Sequence, residues 1–463
     1  MSPTLTRRRF AAALAAAVHT RPRRPNIIVH VMDDQRFDQV GWFGGKSRFE
    51  FLQTTNLDRI AANGVCFRNA FVTFSLCSPS RATMLTGQDV RTHGVNRLAA
   101  GLRPGSVIFP GLLKRAGYET GFVGKWHIGS KSDTPRPEFD YWAGVRGQGR
   151  YIDPVMNVNG ARTELRGYAT DVFMDLALEF LARPRNKPFF LWLAQKAPHA
   201  PCTPPRHLES LYEEIDVPLP ETYEEDHSDK PAWFTTQHDH DAFLELLYPE
   251  AKYQQYVKNF CRTIKSVDEN LGRLLHELDD RGLSEDTVIV HISDNGHFLG
   301  EHRLYSKMLM YEESIRIPFL VRYPRLVPYN PRICEDMVLN LDLAPTLLDL
   351  AGVDVPGWME GRSLRRQIEG KQVRGWRRSF RYEYFNSRWG LPDFDGVRTA
   401  DGWMYCRFPD WEQMYDINAD PKQVRNLAAD PAYATKKREL QAELRRLGGG
   451  RRRLRGPSPY TPM

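Results

Sequence analysis

Residues 71–87 read FVTFSLCSPSRATMLTG, and the reading of the chain starts from them. Cys77 is followed by Pro79, Ser80 and Arg81, then by an apolar run that ends at Thr86 and Gly87. Proline fixes φ and lacks a backbone donor, so Pro79 suits the first turn of a helix. That places Cys77 just before a helix N-terminus, where backbone N–H groups and the dipole favour an anion. Arg81 lies four residues on, about one turn, and returns to the same face. A lone buried cysteine is ordinarily a small hydrophobe. A nucleophile, an anion-binding helix end and a fixed cation in one short stretch read as a site instead.

The string CSPSRATMLTG resembles the signature of the type I sulfatases, whose Cys-x-Pro-x-Arg core directs oxidation of the cysteine to formylglycine. The likeness runs from about residue 25 to about residue 430. It implies an α/β fold of the alkaline-phosphatase type, a large and mostly parallel mixed sheet flanked by helices. It also implies one calcium ion, with magnesium as the alternative, and a formylglycine-generating enzyme as the partner in maturation.

The metal-binding half opens at residues 26–32, a continuous apolar, β-branched run of the kind found in strands buried on both faces. It ends in Asp33 and Asp34, adjacent carboxylates that repel each other and call for a cation. In the sulfatase pattern this pair binds the calcium. A second buried strand at 287–293 delivers Asp294 and Asn295, two more hard oxygen donors. With Cys77 they complete the expected metal set.

A strand within GYETGFVGKWH (117–127) ends in Lys125 and His127, which two-residue alternation puts on one face. This string resembles the second sulfatase signature. A third buried strand at 188–194 runs into Lys196-Ala-Pro-His199, and His199 in that turn reads as a site residue. The segment 296–320 resembles the sulfatase stretch whose lysine, here Lys307, contacts sulfate. The resemblance implies a formylglycine hydrate at position 77 as nucleophile. It casts His199 with Lys307 as donor to the leaving oxygen, His127 as the base that releases sulfate, and Arg81 as the group that orients the hydrate. Lys125 and Lys307 would grip the sulfate.

The other segments read as scaffold. Helices are expected at 55–62, 109–116, 170–181 (capped by Thr170), 253–281 and 341–351, and a fifth strand at 318–323. Residues 130–165 suggest only short strands. Residues 200–250, rich in Pro, acids and His, suggest a surface excursion in which His227, His238 and His240 belong to a solvated loop. Composition shifts divide the chain into a leader at 1–24, a catalytic domain at 25–370, a small antiparallel sheet with one helix at 371–448, and a basic tail at 449–463.

The 463 residues carry a formal charge of +7, but six arginines precede Pro25 and four lie at 451–455. Removing these ten takes the charge to −3, so the body gives no footing for a nucleic-acid partner. No apolar run approaches the ~18 residues of a membrane span. Six scattered cysteines form no CxxC pair, so no zinc module or disulfide framework is suggested. Arg7-Arg8-Arg9-Phe10 before AAALAAAV reads as a twin-arginine export signal to the periplasm or beyond; a basic tail on a cytoplasmic enzyme is the other reading.

Two rivals remain at this point. A phosphonate or phosphodiester hydrolase of the same superfamily shares the nucleophile, although such enzymes tend to carry His where this chain has Asn295. A non-catalytic glycan-binding pseudosulfatase would lack an expected residue, and none is missing. KAPHAP, LNLDLAPTLLDLAGV and WRRSFRYEYF resemble N-acetylglucosamine-6-sulfatases and related bacterial glycan sulfatases, which implies a sulfated sugar or glycan end as substrate. Iduronate, galactose and aryl sulfates stay open.

Overall fold

The computed structural model describes residues 24–43, 47–327, 332–385 and 389–448. The expected export signal and basic tail lie outside these residues, apart from Arg24.

Ten strands form the main sheet: β1 (Asn26–Asp33), β2 (Gly64–Phe67), β3 (Glu119–Lys125), β4 (Tyr141–Val145), β5 (Val155–Val158), β6 (Ala161–Glu164), β7 (Phe189–Pro198), β8 (Thr287–Ser293), β9 (Phe319–Arg322) and β10 (Arg332–Cys334). Their order is β10-β2-β9-β8-β1-β7-β3-β4-β5-β6. The central strands β8, β1, β7, β3 and β4 run parallel, and antiparallel pairing appears only toward the margins. Continuous apolar composition has its cause here, because both faces of the sheet are covered. Ile27, Val29 and Val31 of β1 pack toward the helices Phe109–Arg115 and Leu343–Leu350, while Ile28 packs toward Ala169–Ala182 and the 31-residue helix Glu250–Asp280. Along that long helix Leu271, Leu274 and Leu278 recur on the buried side, the three-to-four spacing of an amphipathic stripe.

The sheet order matters most for function. The four strands expected to carry site residues are immediate neighbours, β8-β1-β7-β3. Their carboxyl ends therefore stand side by side, the place where open parallel sheets hold ligands. A second sheet, β11 (Ser379–Tyr384), β12 (Phe394–Thr399), β13 (Trp403–Arg407) and β14 (Glu412–Asp416), is antiparallel throughout and carries the helix Ala434–Gly448. It is docked beside the site by Tyr382, whose hydroxyl accepts from Ser75 N–H at 3.1 Å and donates to Met308 O.

Several sequence expectations need correction. Thr170 does not cap its helix; Tyr168 holds the N-cap position and Thr170 is buried in the first turn. Residues 200–250 are not a plain surface excursion, because two helices, Ala232–Thr236 and His238–Leu246, bury Phe234 and Phe243. Nor are His227 and His240 solvated: His240 is buried, and the His227 ring lies 4.9 Å from that of Phe234 and 5.7 Å from that of His240. Polar composition hid these helices, since their apolar content rests on a few aromatic residues.

Candidate active site

Cys77 is the first residue of the helix Cys77–Thr86, one position further in than expected, with extended Leu76 before it. The helix is buried along its whole length, so its N-terminal N–H groups face the crevice without competition from bulk water. One ligand atom each from Asp33, Asp34, Cys77 and Asp294 lies within 4.8 Å of all the others, and all four residues are buried. The backbone N–H of Asp34 donates to Asp294 Oδ1 at 3.2 Å, tying the ends of β1 and β8 together. Asn295 uses its amide nitrogen on Asp34 Oδ1 (2.6 Å) and Gly296 O (2.8 Å). Its Oδ1 is buried and has no hydrogen-bond partner among the described residues. Gly296 is obligatory, because a Cβ there would collide with the Glu313 carbonyl.

Cations interleave with these acids. Arg81 donates from Nε to Asp294 Oδ2 at 2.8 Å and from Nη1 to Lys125 O at 2.5 Å, while its Nη2 lies 3.8 Å from Asp33 Oδ1. Lys125 Nζ pairs with Asp33 and with the side-chain oxygen of Gln148. Lys307 Nζ pairs with Asp34 and donates to Cys77 Sγ at 3.2 Å; the thiol itself faces Asp33 Oδ1 at 3.4 Å. Three buried carboxylates thus face three buried cations.

Lys125 is delivered by β3 as expected, but His127 is not on that strand. β3 ends at Lys125, Gly124 has φ +106° and a Cβ there would strike the Ala194 carbonyl, and His127 itself adopts φ +54°. A local reversal rather than strand alternation brings His127 to the site. His199 follows directly on β7, its Nε2 3.9 Å from Asp34 Oδ2.

Burial works against charge throughout. It raises Asp33, yet Lys125, His199, Arg81 and Lys307 together hold that carboxyl well below its usual range. Asp34 is held down to about 2 against the same burial, chiefly by Lys307. Asp294 goes the other way, up to about 7, through burial and then repulsion from Asp33. Burial also pushes the Cys77 thiol far up, which would leave an unmodified thiol a poor nucleophile. His199 falls to about 4 and His127 well below its ordinary value, both mainly by burial. A set of carboxylates whose members force one another apart, beside an amide oxygen with no donor, fits a hard divalent ion. Asp33, Asp34, Asp294 and Asn295 are the residues able to hold it, with residue 77 alongside.

Sequence reasoning missed Gln148 and His297. Gln148 sits between Gly147 and Gly149, both at positive φ, in a tight turn that turns its amide to Lys125. His297 is buried between Phe260 (centroids 5.5 Å apart) and Asp34 Oδ2 (3.5 Å from Nδ1). Glycines flanking Gln148 were the one available signal.

A family places this constellation. The chain belongs to the sulfatase family, whose pattern matches residues 25–353, and residues 300–449 match the C-terminal region of N-sulphoglucosamine sulphohydrolase. It is accordingly an enzyme, a sulfuric ester hydrolase. Over 93% of its length, and 88% of the relative's, it is 34% identical to the N-acetylglucosamine-6-O-sulfatase of Bacteroides thetaiotaomicron. A solved structure in complex with its substrate D-glucosamine-2-N,6-O-disulfate superposes with a TM-score of 0.84 at 32% identity, covering 92% of this chain and 97% of that one. The phosphonate monoester hydrolase of Silicibacter pomeroyi shares the fold, with a TM-score of 0.77 at 21% identity, covering 91% of this chain and 95% of that one.

Proposed function

We propose that this sulfatase removes sulfate from a sulfated sugar, 6-O-sulfated N-acetylglucosamine or a closely related glycan unit. In this reading Cys77 is oxidised to formylglycine by a generating enzyme, and one calcium ion, or magnesium in its place, is held by Asp33, Asp34, Asp294 and Asn295. The observation that carries it is the gathering of Cys77 Sγ and three carboxylate oxygens within 4.8 Å at the carboxyl ends of four adjacent strands. The sugar rests on the glucosamine sulfatase matches in sequence and in structure, both above 30% identity. The Arg-rich leader is read as an export signal; among the described residues no helix is long and apolar enough to cross a membrane.

When present, the ion supplies electrophilic polarisation, and the oxidised side chain a hydroxyl nucleophile that a thiol lacks. The chain's own residues do the rest. Three carboxylates balance three cations, so a divalent ion leaves the crevice positive and draws in an anionic ester. Lys125 and Lys307 flank residue 77 and set their ammonium groups against the sulfate oxygens, where charge grows during transfer. Arg81 fastens Asp294 to the end of β3 and keeps Nη2 toward the reacting group. His199, with Lys307, hands a proton to the departing alcohol oxygen. His127, nine-tenths or more buried, accepts a proton in the step that returns residue 77 to its starting form.

The phosphonate hydrolase shares the fold, but Asn295 and the lysine pair favour sulfur over phosphorus esters. Parallel assays on N-acetylglucosamine 6-sulfate, an aryl sulfate and an aryl phosphonate test this, with mass spectrometry of the Cys77 peptide. Turnover of the sulfates with an aldehyde at position 77 is expected. A preference for the phosphonate, or an active enzyme with an intact thiol, would overturn the reading.

A further inference from the structure

The turn that carries His199 is held by hydrogen bonds and a cation–π contact from Lys196 and Tyr151. His199 N–H donates to Lys196 O at 3.0 Å, and its Nδ1 lies 2.9 Å from the Ala200 carbonyl oxygen. A carbonyl has no hydrogen to give, so Nδ1 carries the proton and Nε2 is the nitrogen that exchanges one with the crevice. The same carbonyl accepts from Lys196 Nζ at 3.2 Å. Lys196 is only 2% exposed, and its ammonium stands 4.8 Å over the centre of the Tyr151 ring. The Tyr151 hydroxyl donates to the backbone oxygen of His199 at 2.8 Å, and its ring stacks on Tyr168 with centroids 5.6 Å apart. Burying an ammonium is costly unless cation–π and hydrogen-bond partners compensate it. Here both partners belong to the frame of one histidine.

We infer that Lys196 and Tyr151 are positioning residues for His199. Lys196 fixes the Ala200 carbonyl, which sets the tautomer and tilt of the imidazole, and Tyr151 anchors the backbone of the same residue from the other side. The inference rests on the reading of His199 as the group that protonates the leaving alcohol. In that step the bond between sulfur and the alcohol oxygen breaks and its electron pair stays on the oxygen; His199 enters as the imidazolium, having taken a proton from solvent at Nε2, gives that proton to the oxygen and returns to the neutral Nδ1–H form. A sugar hydroxyl needs that proton to depart, whereas 4-nitrophenolate leaves without it. A fault in positioning His199 therefore shows on one substrate and spares the other.

The test is steady-state kinetics of the metal-loaded, formylglycine-containing enzyme on N-acetylglucosamine 6-sulfate and on 4-nitrophenyl sulfate. Lys196→Met keeps the stem over Tyr151 but deletes the donor. For the sugar sulfate kcat is expected to fall about 30-fold with KM within about twofold, and for the aryl sulfate kcat is expected to fall less than about threefold. Tyr151→Phe, which removes only the hydroxyl, should show the same asymmetry to a smaller degree, and it carries the test if Lys196→Met does not fold. His199→Ala is the reference. If it shows the asymmetry and both positioning variants lose the two activities equally, or neither, the inference is wrong and the reading of His199 stands. If His199→Ala itself lowers both activities alike, His199 is not the acid, and the inference falls with that reading.

Discussion

Two buried polar regions lie three residues apart along the same pair of strands, and they behave differently. His30 of β1 and His291 of β8 are register partners in the middle of the sheet, their Nδ1 atoms 2.9 Å apart. His291 Nε2 meets Gln35 Oε1 at 2.9 Å, an acceptor, so that nitrogen carries the proton and His291 Nδ1 accepts from His30. His30 Nε2 then accepts from the Gln195 amide at 3.3 Å. Every ring nitrogen of the pair has a partner. At the strand ends, Asn295 Oδ1, Arg81 Nη2, His127 Nδ1 and both nitrogens of His297 have no hydrogen-bond partner among the described residues. Both regions are buried, so burial does not set the two apart; the state of their hydrogen bonds does. A polar pair that completes itself is architecture, and a cluster that leaves donors and acceptors over is prepared for something that is not protein.

The largest effect should come from Cys77→Ala. Turnover on any sulfate ester is expected to fall by about 10⁴-fold or to background, with the circular dichroism spectrum unchanged. Wild-type-like activity in that variant would erase the distinction. Next, Asn295→Ala removes the unpaired oxygen and should weaken calcium binding about 100-fold by titration calorimetry, with a far smaller change in the melting temperature of the metal-free protein. A third expectation concerns protons. Asp294 is raised to about 7 in the metal-free site, so below that pH it holds a proton that an incoming cation must displace. Calcium affinity should therefore climb as pH rises through about 7, with proton release visible as buffer-dependent binding enthalpy; an affinity flat from pH 6 to 8 contradicts it.

The smallest effect on chemistry belongs to the histidine pair. His291→Phe strands His30 Nδ1 and Gln35, and should cost about 2–3 kcal/mol of stability by denaturant unfolding. Turnover per folded molecule should change less than about tenfold. The pH sign follows from burial, which lowers His30 to about 3 from an ordinary value near 6.5. The unfolded chain takes up the proton first, so the stability this neutral ring contributes is complete above about 6.5 and is lost as pH falls toward about 3. A stability curve flat from pH 7 to 4 would show that the pair is hydrated and not sealed in the sheet.

Much of this was legible from local pattern. Buried strands announce themselves by unbroken β-branched runs, and the residues that end them, Asp33-Asp34, Lys125, His199 and Asp294-Asn295, stood out at those ends. Arg81 was marked by its one-turn spacing from Cys77, whereas Lys307 was legible only through family resemblance, because a lysine in a loop has no periodicity to mark it. His127 was assigned to the right place for the wrong reason: the left-handed turn after Gly124 depends on how close β3 runs to Ala194, a contact between distant segments. Gln148, His297 and Tyr151 gave little signal, since each acts through a neighbour far away in the chain, and Lys196 meets its acceptor Ala200 only once the turn between them is folded. The helices in 200–250 were missed because two aromatic residues, not an apolar stripe, hold them down.

The amino-acid order alone determined which segments become buried strands, that Cys77 lies at the start of a helix to within one residue, and which donors could serve a hard cation, for these depend on short-range pattern and side-chain chemistry. Only the tertiary structure decided that β8, β1, β7 and β3 lie adjacent, that Asp294 takes the highest pKa of the three acids, and that the His199 turn is clamped by Lys196 and Tyr151. Strand order and mutual electrostatics arise from contacts across hundreds of residues, and no local stretch encodes them.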